Sequence, residues 1–167
     1  VERAVSFDIL KDGSQLEIVQ SLAKWKRYAL KKYDFKMHTG LYTDMTAIRR
    51  DETLDETHSI YVDQWDWEKV IDKKDRTLDY LKLTVQKIVI AIISKSKYIE
   101  TKGVKAVDLC NKVYFITSQQ LLDMYPTLDA KQREYQITKK YKTVFIMQIG
   151  DILTDGKPHD LRAPDYD

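Results

Sequence analysis

Apolar and polar residues alternate from Ala4 through Val5 and Phe7 to Ile9, the period of two that predicts a strand. Asp12-Gly13 is a strong turn dipeptide, and Leu16 to Val19 can return antiparallel, so a hairpin opens the chain. The period then lengthens. Leu22, Trp25, Ala29 and Leu30 form an apolar stripe at helical spacing over Leu22 to Tyr33, with Ser21 placed to cap it and Lys24, Arg27, Lys31 and Lys32 around it. Beyond Gly40 the pattern predicts a strand over Leu41 to Ile48, a polar loop from Arg50 to Thr57, and a second strand from Ser59 to Trp67. From Thr77 to about Lys97, apolar residues recur every three or four positions (Leu78, Leu81, Val85, Ile88, Val89, Ile92), a helix about 30 Å long expected to pack across a sheet. A short buried-type strand is predicted at Val113 to Thr117, then a helix capped by Ser118 and ended by Pro126. A helix capped by Asp129 runs to about Lys140, a strand covers Thr143 to Ile149, and Asp155-Gly156 marks a final turn.

The strand, loop, strand unit carries the most chemistry. Side chains two apart on a strand point the same way, about 7 Å apart, so Gln64 and Asp66 share a face with Val62 and Ile60, while Tyr61, Trp65 and Trp67 take the other. An amide and a carboxylate among apolar neighbours cost a few kcal/mol unless each finds a partner, and a bound polar ligand is one way to supply it. Arg49, one loop away, carries a guanidinium able to clamp a phosphate.

Composition narrows the class. A chain of 167 residues with 43% hydrophobic and 11% aromatic residues suits one globular domain over 1–167. A net charge of +2 from 28 basic and 26 acidic side chains creates no overall field toward nucleic acid or anionic lipid, and neither is expected as a partner. The longest apolar run, Ile88 to Ile93, is far below the roughly 20 residues that cross a bilayer. A single cysteine, Cys110, forms no internal disulfide and is compatible with a reducing compartment, so a cytoplasmic address is expected. Consecutive strands joined by turns, with helices between some of them, favour an α+β fold with an antiparallel or mixed sheet flanked by helices. No glycine-rich phosphate loop is present, and His38, His58 and His159 lack the spacing of a zinc site, so no protein-held metal is expected. The chain starts without methionine and stops inside a polar constellation, which reads as a piece of a longer protein.

Several segments together resemble a known family: SLAKWKR from Ser21 to Arg27, GLYTDM from Gly40 to Met45, the arginine and acidic loop from Arg49 to Glu52, HSIYVDQWDWE from His58 to Glu68, and HDLRAPDYD from His159 to Asp167. They resemble the aspartate-ammonia ligases, the ammonia-dependent asparagine synthetases, in register over essentially the whole chain. The resemblance implies a catalytic core like that of class II aspartyl- and asparaginyl-tRNA synthetases, in a cytoplasmic homodimer. It also implies ATP with magnesium, and asparagine made from aspartate and ammonia through a β-aspartyl adenylate with release of AMP and pyrophosphate.

Carried over residue by residue, the resemblance makes Arg49 the α-phosphate ligand, Gln64 the amide along the acyl group, Asp66 the partner of the substrate ammonium and Lys26 that of its carboxylate. Ser21 and Asp167 join the substrate site. Glu52 lies near the adenine amino group, His58 and Tyr61 near adenine or ribose, and Arg162 supports Asp167 or a phosphate. Arg50 and the two tryptophans of the second strand are read as a solvated side chain and as packing. Two alternatives stand beside the ligase: a tRNA synthetase relative, against which Ala23 speaks where those enzymes use glutamine, and a non-catalytic binding or dimerisation fragment.

Overall fold

A computed structural model describes residues 3–56 and 58–161. The chain divides into two compact units, Val1–Asp75 and Arg76–Asp167.

In the first unit, β1 (Val5–Asp8) and β2 (Gln15–Ile18) form the expected hairpin, with Val5 opposite Ile18 and Asp8 opposite Gln15. Its six-residue connection turns at Gly13, whose φ of +71° is a conformation that L side chains rarely adopt. Helix α1 spans Ala23–Lys32 and closes with Lys31 and Lys32 in its last turn, where the negative end of the helix dipole favours cations. Its N-cap position is Leu22 rather than Ser21; the Ser21 hydroxyl accepts from the Ala23 N–H at 3.1 Å, one step outside the cap geometry. The buried stripe also differs from the expected one. Trp25 is half exposed, and Lys26 takes the inward position with Ala29.

Strands β3 (Gly40–Ile48) and β4 (Tyr61–Lys69) pair antiparallel over nine residues, from Gly40 opposite Lys69 to Ile48 opposite Tyr61. Burial alternates along both with the predicted period of two. Gly40 permits the pairing, since a Cβ there would collide with the backbone carbonyl of Glu68. A single 3₁₀ turn, Lys73–Asp75, ends the unit.

The second unit begins with α2 (Leu78–Glu100), whose N-cap Thr77 accepts from the Tyr80 N–H. Of its apolar stripe only Val85 is fully buried. Gln86 instead ties α2 to the following loop, donating to the Asn111 carbonyl at 2.6 Å and accepting from the Val113 N–H at 3.4 Å. Strands β5 (Tyr114–Thr117) and β6 (Val144–Met147) run parallel, because α3 (Ser118–Met124) and α4 (Ala130–Tyr141) carry the chain back between them. Thr117, not Ser118, caps α3 in a capping box with Gln120, and the buried Ser118 hydroxyl donates to the Gln148 carbonyl. Asp129 caps α4 as expected, in a second box with Gln132. Ile116, Leu121 and Ile137 form the core, flanked by a Tyr114–Tyr141 stack at 3.6 Å.

The class is therefore α+β, but the described strands form three two-stranded sheets, two antiparallel and one parallel, rather than the one antiparallel or mixed sheet expected. Among the described residues no helix is long and apolar enough to cross a membrane.

Candidate active site

The covered face of the β3–β4 ribbon presents Leu41, Thr43, Met45 and Ala47 from one strand and Val62, Gln64, Asp66 and Glu68 from the other. Register sets Thr43 against Asp66, Met45 against Gln64 and Leu41 against Glu68. Helix α1 packs against this ribbon and brings Lys26 onto it.

Lys26 is fully enclosed, and its Nζ is ion-paired with Asp66 Oδ1. Burial pushes the Lys26 ammonium below its ordinary pKa; the nearby Glu68 carboxylate opposes that shift and Arg27 adds to it. Arg27 pairs in turn with Glu68, Nε to Oε1 at 3.4 Å. Two cations from α1 thus meet two carboxylates two residues apart on β4. A solvated helix face, the usual setting for a lysine, does not describe this one.

Two further polar atoms on the same face are enclosed without a hydrogen-bond partner: Gln64 Oε1 and Thr43 Oγ1. Buried polar groups are nearly always satisfied, and each one left alone costs about 1–3 kcal/mol. Two such atoms flanking a buried ion pair mark a place where a polar ligand would complete the bonding.

Arg49 lies farther along. Its N–H donates to the Ile60 carbonyl at 2.6 Å, which continues the ladder one residue past β3 and keeps the half-buried Arg49 on the covered-face parity. It stands four residues beyond Met45, the partner of Gln64, or about 13 Å along the strand. The chain after it is anchored from the N-terminal segment. Arg3 donates to Asp51 Oδ2 from both its backbone N–H and its Nε at 3.1 Å, while Arg50 donates to the Ala4 carbonyl at 3.1 Å. Hydrogen bonding from Arg3 holds the Asp51 carboxyl down to about 2. Arg50 is exposed, as the sequence suggests, and adds this one tie to the N-terminal segment.

The structure gathers Lys26, Gln64 and Asp66, with Arg49 on the same face. Ser21 is exposed at the entry to α1, its hydroxyl engaged by Ala23. Glu52 and His58 are exposed in the loop, where the His58 ring contacts Asp55 Oδ1 at 2.7 Å. Tyr61 does not join the group: β4 turns it to the opposite face, 61% exposed, as alternation from Gln64 requires. Trp65 and Trp67 share that outer face in a tilted contact at 5.5 Å, with Tyr42 edge-on to Trp65, and form an exposed strip rather than core packing. Arg162 and Asp167 lie outside the described residues. The residue that sequence reasoning missed is Thr43, although it carried the same signal as Gln64 and Asp66, a polar side chain at an inward strand position.

The family model for aspartate-ammonia ligase matches residues 1–167. The chain belongs to the aspartate-ammonia ligase family. Among its curated relatives, a protein of Levilactobacillus brevis named aspartate–ammonia ligase is 56% identical over 169 residues, covering 100% of this chain and 50% of its own length. One of the same name from Lactobacillus acidophilus is 55% identical over 170 residues, covering 100% and 51%. Another, from Bacillus mycoides, is 54% identical over 168 residues with the same coverage. The chain spans about half the length of the relatives it matches.

Proposed function

We propose that this chain is the part of an aspartate-ammonia ligase that holds aspartate and the α-phosphate of ATP during asparagine synthesis. What supports the reading, beyond family membership, is the pair of the enclosed Lys26 with the half-buried Asp66 beside the unpartnered Gln64 Oε1 on one face of the ribbon. An ammonium and a carboxylate side by side suit an amino acid, whose own carboxylate and ammonium can each take one of them.

In this reading Lys26 holds the substrate α-carboxylate, Asp66 its ammonium, and the Gln64 amide lies along the side chain that reacts. The β-carboxylate attacks the α-phosphorus of ATP and pyrophosphate leaves. Charge builds on the non-bridging oxygens as this happens, and a guanidinium placed at Arg49 stabilises it. Ammonia then attacks the acyl carbon of the β-aspartyl adenylate, AMP departs with the bonding pair, and loss of a proton gives asparagine. Helix α1 over the site shields the activated acyl group from water.

Magnesium accompanying the ATP belongs to the same proposal, and among the described residues no three His, Cys, Asp or Glu side chains are grouped to hold a metal ion. A class II synthetase-like core, a homodimer and a cytoplasmic location belong to the same proposal. The deciding experiment measures pyrophosphate and asparagine formed from aspartate, ATP and ammonia by the full-length protein. An Arg49→Ala variant should lose about 100- to 1000-fold in turnover, the usual effect of removing one preorganised donor, and full activity would overturn the phosphate assignment.

A further inference from the structure

Thr43 is the one polar side chain among the covered positions of β3, with Leu41, Met45 and Ala47 as its neighbours there. It stands directly opposite Asp66 and diagonal to Gln64. In antiparallel ladders these relations correspond to side chains about 5 Å and about 7–8 Å apart. Its hydroxyl is enclosed and has no partner, as is Gln64 Oε1. Valine has the same shape and suits a strand equally well, so in the empty protein the hydroxyl only adds an unmet hydrogen bond.

The three groups have a common chemistry. An ionised carboxylate, an amide oxygen and a hydroxyl oxygen can all accept, and they lie around one point of the ribbon. A primary ammonium donates three hydrogen bonds, one for each. A carboxylate placed between these three would meet the negative ends of Asp66 and Gln64 Oε1 and find one donor among them, the hydroxyl proton, so its place is on the far side of the Asp66 partner, Lys26.

We propose that Thr43 is a specificity-determining residue, the third acceptor for the α-ammonium of the amino-acid substrate beside Asp66 and Gln64. This rests on the reading of the face as an aspartate site. It makes Thr43 a residue that lowers the stability of the free protein and raises its affinity for an amine-bearing substrate.

The test uses the full-length protein, with pyrophosphate release as the readout, L-aspartate as substrate and succinate, which is aspartate without its amine, as competitive inhibitor. Thr43→Val should raise the KM for aspartate about tenfold or more, the effect of one hydrogen bond to a charged group. The KM for ATP and inhibition by succinate should be unchanged, and the melting temperature should be no lower than that of the native protein. Thr43→Ser, which keeps the hydroxyl, should restore aspartate affinity. An unchanged KM for aspartate in Thr43→Val, or equal weakening of aspartate and succinate, overturns the proposal while leaving the ligase reading intact. Failure of the native protein to release pyrophosphate with aspartate overturns that reading and this one together.

Discussion

The Lys26–Asp66 pair predicts an asymmetry between its two halves. Lys26 is fully enclosed, whereas the Asp66 side chain keeps about a third of its surface, 32%, in contact with solvent. Asp66→Asn strands an ammonium with no route to water, and breaking a buried pair in this way costs about 3–5 kcal/mol. Glu68, which already acts on Lys26, recovers part of that loss, so the lower end of the range, about 3 kcal/mol, is expected. Lys26→Met has the opposite balance. Methionine keeps most of the apolar stem, removes the desolvated charge, and leaves a carboxylate that can rehydrate, so stability should stay within about 1 kcal/mol of the native protein or rise. Urea unfolding followed through the amide resonances of β4 separates the two. With a slope of about 2 kcal/mol per M, Asp66→Asn should lower the midpoint by about 1.5 M and Lys26→Met should barely move it. Both variants should lose aspartate-dependent pyrophosphate release, so the methionine protein would be folded and inactive. Equal destabilisation by the two would refute the reasoning, because the pair would then be a net stabiliser of the fold rather than a binding arrangement kept at some cost.

Other consequences can be measured directly. Gly40→Ala should push β3 and β4 apart at the Glu68 carbonyl and cost about 1–3 kcal/mol, seen as faster hydrogen exchange at the Glu68 and Lys69 end of the ribbon. Asp51, lowered from 3.8 to about 2 by Arg3, contributes stability that is fully present above pH 3.8 and lost as pH falls through about 2. A carboxyl-carbon NMR titration should therefore place Asp51 at about 2, and Arg3→Ala should bring it back toward 3.8. Leu121→Ala, at a fully buried position against Ile116 and Ile137, should cost about 2–5 kcal/mol in thermal unfolding of the second unit.

How much of this was legible in the sequence depended on which physical signal was local. Alternation along Ser59 to Trp67 predicted the faces of β4 correctly, because a period of two leaves no freedom once one face is covered. Asp129 announced its helix through a side-chain oxygen placed before a helical run. Lys26 could not be placed inward from spacing alone. The spacing Leu22, Lys26, Ala29, Leu30 fits a helical stripe as well as one with Trp25 does, but a buried lysine makes sense only once Asp66, forty residues away, is known to face it. The parallel pairing of β5 with β6 was not visible either, since it follows from how the α3–α4 connection folds back rather than from anything in the strands. Thr43 went unread because threonine is common in strands; its meaning came from the missing partner.

The aromatic strip on the outer face of the ribbon has a practical consequence. All three tryptophans of the chain, Trp25, Trp65 and Trp67, belong to the first unit, each substantially exposed, and residues 76–167 contain none. Tryptophan emission, excited selectively over tyrosine, is therefore blind to half the molecule. An emission-based melt follows the ribbon and α1 alone, while ellipticity at 222 nm is weighted toward the three helices of the other unit, so any gap between the two midpoints reads out whether the halves lose their structure together or in turn.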